Sequence, residues 1–326
     1  VLALLRRPRG GIANWAADVR GALAGQGVEL VVDDASWIPD QTAPKVSKQV
    51  TARLRDAAKG FDVVHALEYR AAWACGEAFG LRFPWLYTAY RMPKTRHPEL
   101  IDRLCAARRG LAASRAVFDA LNEVDCVNLE VLAPAAQAKA VDREAGRRAL
   151  GASAATPCVL AMGQFTPDRG LESLSRAMPE VWAEHPSATL YLIGEGDDAP
   201  AFDDPRARVL PTWLDDPLPW IAGADVVVVP YRNAGWSRLA VEAMMLGVPV
   251  LLREEAGLAE IGVGGISTYG FRAEEELGPE LARALGGELR RESVGLAGRA
   301  WAEDRLDLGR QAKRLAEVYR ECAGAA

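Results

Sequence analysis

Histidine is scarce in this chain, three residues in 326, and His65, His97 and His185 lie far apart. A metal cluster would need carboxylates from several distant segments, so no metal and no other cofactor is expected. Cysteine is almost as rare. Cys75, Cys105, Cys126, Cys158 and Cys322 are odd in number, show no CxxC spacing and sit mostly among apolar neighbours. This argues against a disulfide framework or zinc site and fits buried thiols in a reducing, cytoplasmic setting. No apolar run approaches the ~20 residues that span a bilayer, and no signal-peptide pattern is present. The opening "VLALL" lacks an initiator methionine, so a few native residues are expected ahead of it. An excess of positive charge is missing too: 39 basic residues face 44 acidic ones, a net charge of -5. Nonspecific nucleic-acid binding, which uses a basic surface to displace counterions, is therefore not expected. Only six of the basic residues are lysines, which with the many alanines reads as the composition of a GC-rich bacterial genome. The GxGxxG fingerprint is absent as well, which counts against a nicotinamide dehydrogenase.

What is present is an alternation. The apolar runs "VLALL", "VELVVDD", "DVVHAL", "PWLYTAY", "GLAAS" and "LEVLAP" are separated by helical patterns over 13–26, 50–59, 69–79, 100–108 and 115–121. Strands spaced by such helices imply right-handed crossovers and a parallel sheet. An alanine-rich polar stretch, 134–157, reads as part helix and part linker. The pattern then restarts with "CVLAMG", a helix over 171–184, "ATLYLIG", "ARVLP", a short helix over 217–222, "ADVVVVP", another helix and "VPVLL". The expected fold class is α/β, with two Rossmann-like, doubly wound parallel-sheet domains facing a central cleft. Their expected bounds are 1–140 and 141–303. The closing segment 304–326 places Leu306, Leu308, Leu315, Val318 and Tyr319 at mostly helical spacing and is expected to pack back across the domain junction.

Such sheets bind ligands at the carboxyl ends of their strands, so function belongs on the strand-to-helix turns. Three turns stand out. In "RRPRGGIAN", Gly10 and Gly11 let the backbone approach an anion, and the free N–H groups of the following helix favour negative charge; a plain tight turn is the other reading. In "AMGQFTPDRGLESL", Gly163 and Gln164 follow a strand, and Arg169 could fork onto phosphate oxygens; alternatively Asp168 and Arg169 are solvated turn residues. In "NAGWSRLAVEAMMLGVPV", Asn233, Gly235, Trp236 and Ser237 form a turn, with Ser237 able to cap the helix. Glu242 then lies inside an otherwise apolar helix, where a carboxylate needs hydrogen-bond donors, such as the two hydroxyls of a ribose. His65, at a strand end, could touch ligand, although a satisfied structural role is commoner there. Trp213 could stack on a base or belong to the core. Asp198, Asp203, Asp204, Asp215 and Asp216 read as surface loop carboxylates, and Arg290, Arg291 and Glu292 as a solvated helix face.

The succession of the GG turn, "FDVVHA", "TAY", "LAMGQFTPDRGLESL", "LYLIGEG", "ADVVVVPY", "GWSRLAVEAMMLGVPV", "GLAEIG" and a final "VYRE" resembles the GT-B glycosyltransferases of family 4. The resemblance covers nearly the whole chain and is most specific from Gly194 to Pro249. It implies a retaining transferase that binds a nucleoside-diphosphate sugar mainly on the second domain and an acceptor (a sugar, small molecule or lipid) mainly on the first, without an essential metal. By position, Gly10 and Gly11 match the glycine loop near the donor diphosphate. Arg169 matches a basic residue that is usually lysine. Glu242 matches the second glutamate of the E-x7-E motif, which holds the ribose, and Gly235, Trp236 and Ser237 match the loop whose N–H groups approach the donor.

Three positions depart from that pattern. The first glutamate of E-x7-E falls on Ala234, the usual arginine after the strand-end glycine on Gln164, and the histidine of T-x-H on Tyr90. The absent carboxylate removes a charged hydrogen bond worth roughly 1.5–3 kcal/mol, and loss of one charge-stabilising donor can cost about 10²- to 10³-fold in rate. Tyr90 can still donate one hydrogen bond. Arg6, Arg7, Arg9, Arg91, Arg232 or Arg238 could add charge, and Asn233 or Ser237 could contact the sugar with neutral hydrogen bonds. In the mechanism the resemblance implies, Arg169 and helix dipoles stabilise the departing diphosphate, whose oxygen helps take the acceptor proton on the same sugar face. The expected function is retaining sugar transfer from a nucleotide sugar. The alternative is a non-catalytic or redirected GT-B protein that binds a nucleotide or a partner without transfer. An epimerase of the same shape would need an acid–base carboxylate pair that the sequence does not offer. A homo-oligomer is compatible with all of these.

Overall fold

The computed structural model describes residues 1–7, 9–39, 46–93, 98–124, 126, 128–137 and 139–324, the side chains of 98–100 excepted. The chain divides into two compact units, Val1–Ala135 with Leu306–Ala326, and Ala136–Arg305.

The first unit contains β1 (Leu2–Leu5), α1 (Gly11–Ala24), β2 (Val31–Asp34), α2 (Lys48–Ala57), β3 (Val64–Ala66) and α3 (Tyr69–Phe79), followed by β4 (Trp85–Ala89), α4 (Pro98–Leu104), β5 (Arg109–Ala112), α5 (Arg115–Asn122) and β6 (Leu129–Val131). Its six strands are all parallel, in the order β2-β1-β3-β4-β5-β6. A parallel sheet covered on both faces needs strands that are apolar throughout. The inner strands obey: every residue of β1, β3 and β4 is buried, whereas the edge strand β2, "VVDD", is partly exposed. The order reverses between β1 and β3, and this switch point opens beside the glycine turn.

The second unit holds α6 (Arg143–Leu150), β7 (Cys158–Met162), α7 (Ser173–Glu184), β8 (Thr189–Gly194), β9 (Ala207–Pro211), α8 (Leu218–Gly223) and β10 (Val226–Val229). After these come α9 (Arg238–Met245), β11 (Val250–Arg253), β12 (Tyr269–Phe271), α10 (Leu277–Gly286) and α11 (Glu288–Arg305). Its sheet is again six-stranded and parallel, ordered β12-β11-β10-β7-β8-β9, with the switch point between β7 and β10. Val226 and Val227 lie beside Val159 and Leu160 there, so the turns after β7 and β10 emerge side by side. Phe165, Tyr269 and Phe271 fill the core with the leucines and valines of the strands. In the stretch read as part helix and part linker, α6 starts on the Asp142 side chain and ends at Gly151 in the left-handed region, as its capping preferences dictate. It docks on α8 through Gly146 and Gly223, where a Cβ on either would run into the other helix's backbone.

The last helix, α12 (Leu308–Ala323), lies against α1 and belongs to the first unit. Its Leu308, Leu315, Val318 and Tyr319 are buried. Polar contacts fix it as well: the Gln311 Oε1 accepts from the Trp15 indole at 2.8 Å and the Ala135 amide at 3.1 Å, while its Nε2 donates to the Ala133 carbonyl at 2.5 Å. Arg314 forks onto both carboxylate oxygens of Glu130 at 2.7 Å. Among the described residues no helix is long and apolar enough to cross a membrane, and all five cysteines are free thiols.

Candidate functional site

The turns at the β7/β10 switch point form one knitted surface in the second unit. After β7 the chain passes Gly163 and the half-buried Gln164, then makes a 3-10 turn at Pro167–Arg169 that ends on Gly170. Gly170 has φ +60°, and a Cβ there would run into the Pro230 carbonyl oxygen; only glycine permits this approach to the end of β10. The bond from the Arg232 amide to the Asp168 carbonyl, 2.9 Å, and that from the Arg232 guanidinium to the Pro167 carbonyl, 2.9 Å, close the two turns on each other.

Four arginines around this surface are matched by carboxylates. Arg232 pairs with Glu172 and Glu274, each at 2.5 Å. Arg176 also pairs with Glu274, and Arg253 stands 3.6 Å from it. Hydrogen bonding from Arg232, ahead of that from Arg176, holds the Glu274 carboxyl below its ordinary pKa. Arg238 donates to Glu242 at 2.7 Å, one turn along α9. Arg232 and Arg238, which the sequence offers as spare positive charge, are thus committed to neighbouring acids.

Arg169 is different. No carboxylate pairs with it among the described residues, and its Nε is buried without a hydrogen-bond partner. Its guanidinium carbon instead sits 4.5 Å above the ring centroid of Tyr231. That ring is 4% exposed, and its hydroxyl donates to the Met162 carbonyl at the end of β7. Burial raises the Tyr231 pKa, and the Arg169 charge partly opposes this. Tyr231 therefore serves as a fixed neutral platform for an un-neutralised cation.

The turn after β10 carries the remaining residues. Asn233 is exposed, with φ +49°, and its amide donates to the Glu255 carboxylate at 3.2 Å. Gly235 is buried, Trp236 half-buried, and the Ser237 side chain accepts from the Ala240 amide as the N-cap of α9. Ser237 is thereby engaged in capping. Glu242 is 8% exposed and already accepts from Arg238. Tyr231 and Glu255 were not singled out by sequence reasoning. Tyr231 could have been found as an aromatic directly after "VVVVP"; Glu255 carries no local signal, lying 22 residues from its partner.

In the first unit, Gly10 caps α1 with φ 114° and Gly11 is the helix's first residue. Nearby Arg6 is buried, donating to the Ile38 carbonyl at 2.9 Å and pairing with Glu68 at 3.3 Å across the β1/β3 switch point. Tyr90 follows β4, half-buried, with its ring edge-on to Trp15 at 5.8 Å. His65 is not placed to touch a ligand. It is fully buried, with Nδ1 2.7 Å from the Tyr319 hydroxyl and Nε2 2.7 Å from the Thr88 hydroxyl. Burial pushes its pKa down to about 3, so it is a neutral structural residue. Trp213 is half-buried, and His97 lies outside the described residues. Among the described residues no group of three or more His, Cys, Asp or Glu side chains is placed to hold a metal ion.

Residues 156–287 match the family described as Glycosyl transferases group 1. The chain is 27% identical over 198 residues to a GDP-mannose-dependent monoacylated alpha-(1-6)-phosphatidylinositol monomannoside mannosyltransferase of Corynebacterium glutamicum, covering 54% of this chain and 50% of that protein. The match thus spans half the length of that relative. It is 27% identical to a D-inositol 3-phosphate glycosyltransferase of Thermobispora bispora, over 93% of this chain and 80% of that protein. In structure it is similar to Anabaena Alr3699/HepE, solved in complex with UDP and glucose, with a TM-score of 0.77 at 18% identity, covering 97% of this chain and 98% of the other.

Proposed function

We propose, from the premise that the chain is a member of the GT-B glycosyltransferases, that it transfers a sugar from a nucleoside-diphosphate sugar to an acceptor with retention of anomeric configuration. The observation that carries this reading is Arg169: a cation at a strand-order switch point, held on an aromatic face and left without a carboxylate. A dianionic diphosphate is the ligand such a group fits, since guanidinium donors fork onto phosphate oxygens. As the bond between sugar and diphosphate breaks, negative charge grows on the leaving oxygens, and Arg169 with the N–H groups around Gly235 stabilises it. That oxygen takes the acceptor's proton on the face it leaves, so alignment rather than a covalent nucleophile supplies the rate. Positive charge from the chain makes a metal unnecessary in this reading. Glu242 holds the ribose hydroxyls, sharing its carboxylate with Arg238. In the first unit, Gly10, Gly11 and Tyr90 are the residues to vary for effects on turnover, and the free thiols, four of them buried, favour a cytoplasmic setting.

A second reading, nucleotide binding without transfer, is favoured by one observation: position 234 carries only the methyl group of an alanine where the resemblance implies a carboxylate for the sugar. Calorimetry with UDP, GDP and ADP, followed by hydrolysis assays with UDP-glucose and GDP-mannose, separates the two. The corynebacterial relative is GDP-mannose-dependent and the Anabaena neighbour holds UDP and glucose, so these donors come first. Turnover of a donor supports transfer, and binding without turnover supports the second reading. If no nucleotide binds, and Arg169→Ala changes nothing, both are wrong.

A further inference from the structure

The geometry points to Glu255 as the carboxylate that grips hydroxyls of the donor sugar, an assignment that rests on the donor reading above. The acids around the β7/β10 turns differ in what already engages them. Glu172 and Glu274 are held by Arg232, the latter also by Arg176. Glu242 is held by Arg238, and Glu254 by Arg272 at 3.0 Å. Glu255 has no cationic partner among the described residues; its Oε1 accepts only the Asn233 amide, 3.2 Å away. An ionised carboxylate offers about four acceptor positions, so most of its capacity is left for hydroxyl donors.

Its placement is built into the backbone. Glu255 is half-buried at the start of the 3-10 turn Ala256–Glu260 that follows β11. That turn is stitched to the segment after β10 twice, by the Asn233 bond and by the Gly257 amide donating to the Ala234 carbonyl at 3.1 Å. Asn233 and Ala256 both hold positive φ, +49° and +50°, a region disfavoured for residues with side chains and kept where the surroundings impose it. The result is a carboxylate beside position 234, where the chain itself carries only a methyl group. Two residues before Asn233, Tyr231 presents Arg169. The segment after β10 therefore touches an unmatched cation through Tyr231 and an unmatched carboxylate through the Asn233 amide, and a nucleotide sugar has an anionic end and a hydroxyl-bearing end. Ionised acceptors make the stronger bonds to hydroxyls, so Glu255 sets which sugar epimer is held.

The test is Glu255→Gln in the full chain, since the amide oxygen still accepts from Asn233 and the turn is kept. Titrations with UDP and GDP are expected to change less than about twofold. With the donor that turns over, UDP-glucose or GDP-mannose, kcat/KM is expected to fall about tenfold, the difference between a charged and a neutral hydrogen bond. Glu255→Asp recovers part of the loss, and the Gln effect disappears with a deoxy donor lacking the gripped hydroxyl. Two results overturn the assignment while leaving the donor reading intact: unchanged kcat/KM and donor preference in Glu255→Gln, or an equal weakening of UDP or GDP alone, which would mean the residue acts through the loop. If neither nucleotide binds the native chain and Arg169→Ala is silent, the donor reading falls and the assignment falls with it.

Discussion

Replacing Tyr231 with leucine removes the platform under Arg169 while leaving its charge. The ring is almost wholly buried, with the guanidinium carbon 4.5 Å from its centroid. A cation–π contact is worth about 0.5–1 kcal/mol at exposed sites and about 2 when desolvated. Arg169 is half-buried with one nitrogen fully so, which puts the contact between the two figures. Loss of about 1.4 kcal/mol of alignment corresponds to about tenfold weaker binding of a nucleoside diphosphate. Tyr231→Phe is the control. It keeps the ring and breaks only the bond to the Met162 carbonyl, so unfolding free energy should drop by about 0.5–1.5 kcal/mol with affinity nearly intact. Calorimetric titration of UDP and GDP, with urea unfolding of each variant, reads both quantities. In an Arg169→Ala background the leucine substitution should add nothing, because the two residues act as one unit. The reasoning is refuted if phenylalanine weakens binding as much as leucine, or if leucine retains its full effect without Arg169.

Three other expectations follow from the geometry. Gly170→Ala places a Cβ against the Pro230 carbonyl at φ +60°, and thermal unfolding should show destabilisation of at least about 1–3 kcal/mol; an unchanged Tm means the two turns are not held together as described. Ala234→Glu should restore donor turnover in a Glu255→Gln background, because it returns a carboxylate to the segment hydrogen-bonded to the Glu255 turn; steady-state kinetics showing no recovery would mean the pocket has another shape. His65 has a folded pKa near 3 against 6.5 in an unfolded chain, so it is neutral in the fold and gains a proton on unfolding at lower pH. Its contribution is present above pH 6.5 and lost as pH falls toward 3, at up to about 1.4 kcal/mol per pH unit. Denaturant midpoints measured between pH 7 and 5 should show this slope, and a His65→Gln variant should show less of it.

The alternation of apolar runs and helices made both parallel sheets legible, because strands buried on both faces are apolar along their whole length, as "VVVV" is in β10. The region after β11 was not. β12 has three residues, too few for a periodic signal, and α11 buries Gly295 and Gly298, which pack by lacking side chains rather than by forming an apolar stripe. At the site, the glycine turns and Arg169 could be read locally, since each turn's chemistry lies within a few residues. What neutralises each charge could not. The Arg232 clamp joins residues 60 and 42 positions away, as its pairs with Glu172 and Glu274 show, and the ring nitrogens of His65 are satisfied partly from Tyr319, 254 positions along. A local pairing, Arg238 with Glu242, had the i,i+4 spacing that should have announced it.

The first unit is discontinuous, closed by α12 after the whole second unit has intervened. A ribosome therefore delivers the opening lobe early and its final piece last. Until Tyr319 and Gln311 emerge, the Nδ1 of His65 and the Trp15 indole lack the partners they have in the finished protein. The later lobe, contiguous in sequence, can mature first. Native-like assembly thus runs from the inside of the message outward, and premature termination within the last helix would spoil the oldest part of the chain rather than the newest.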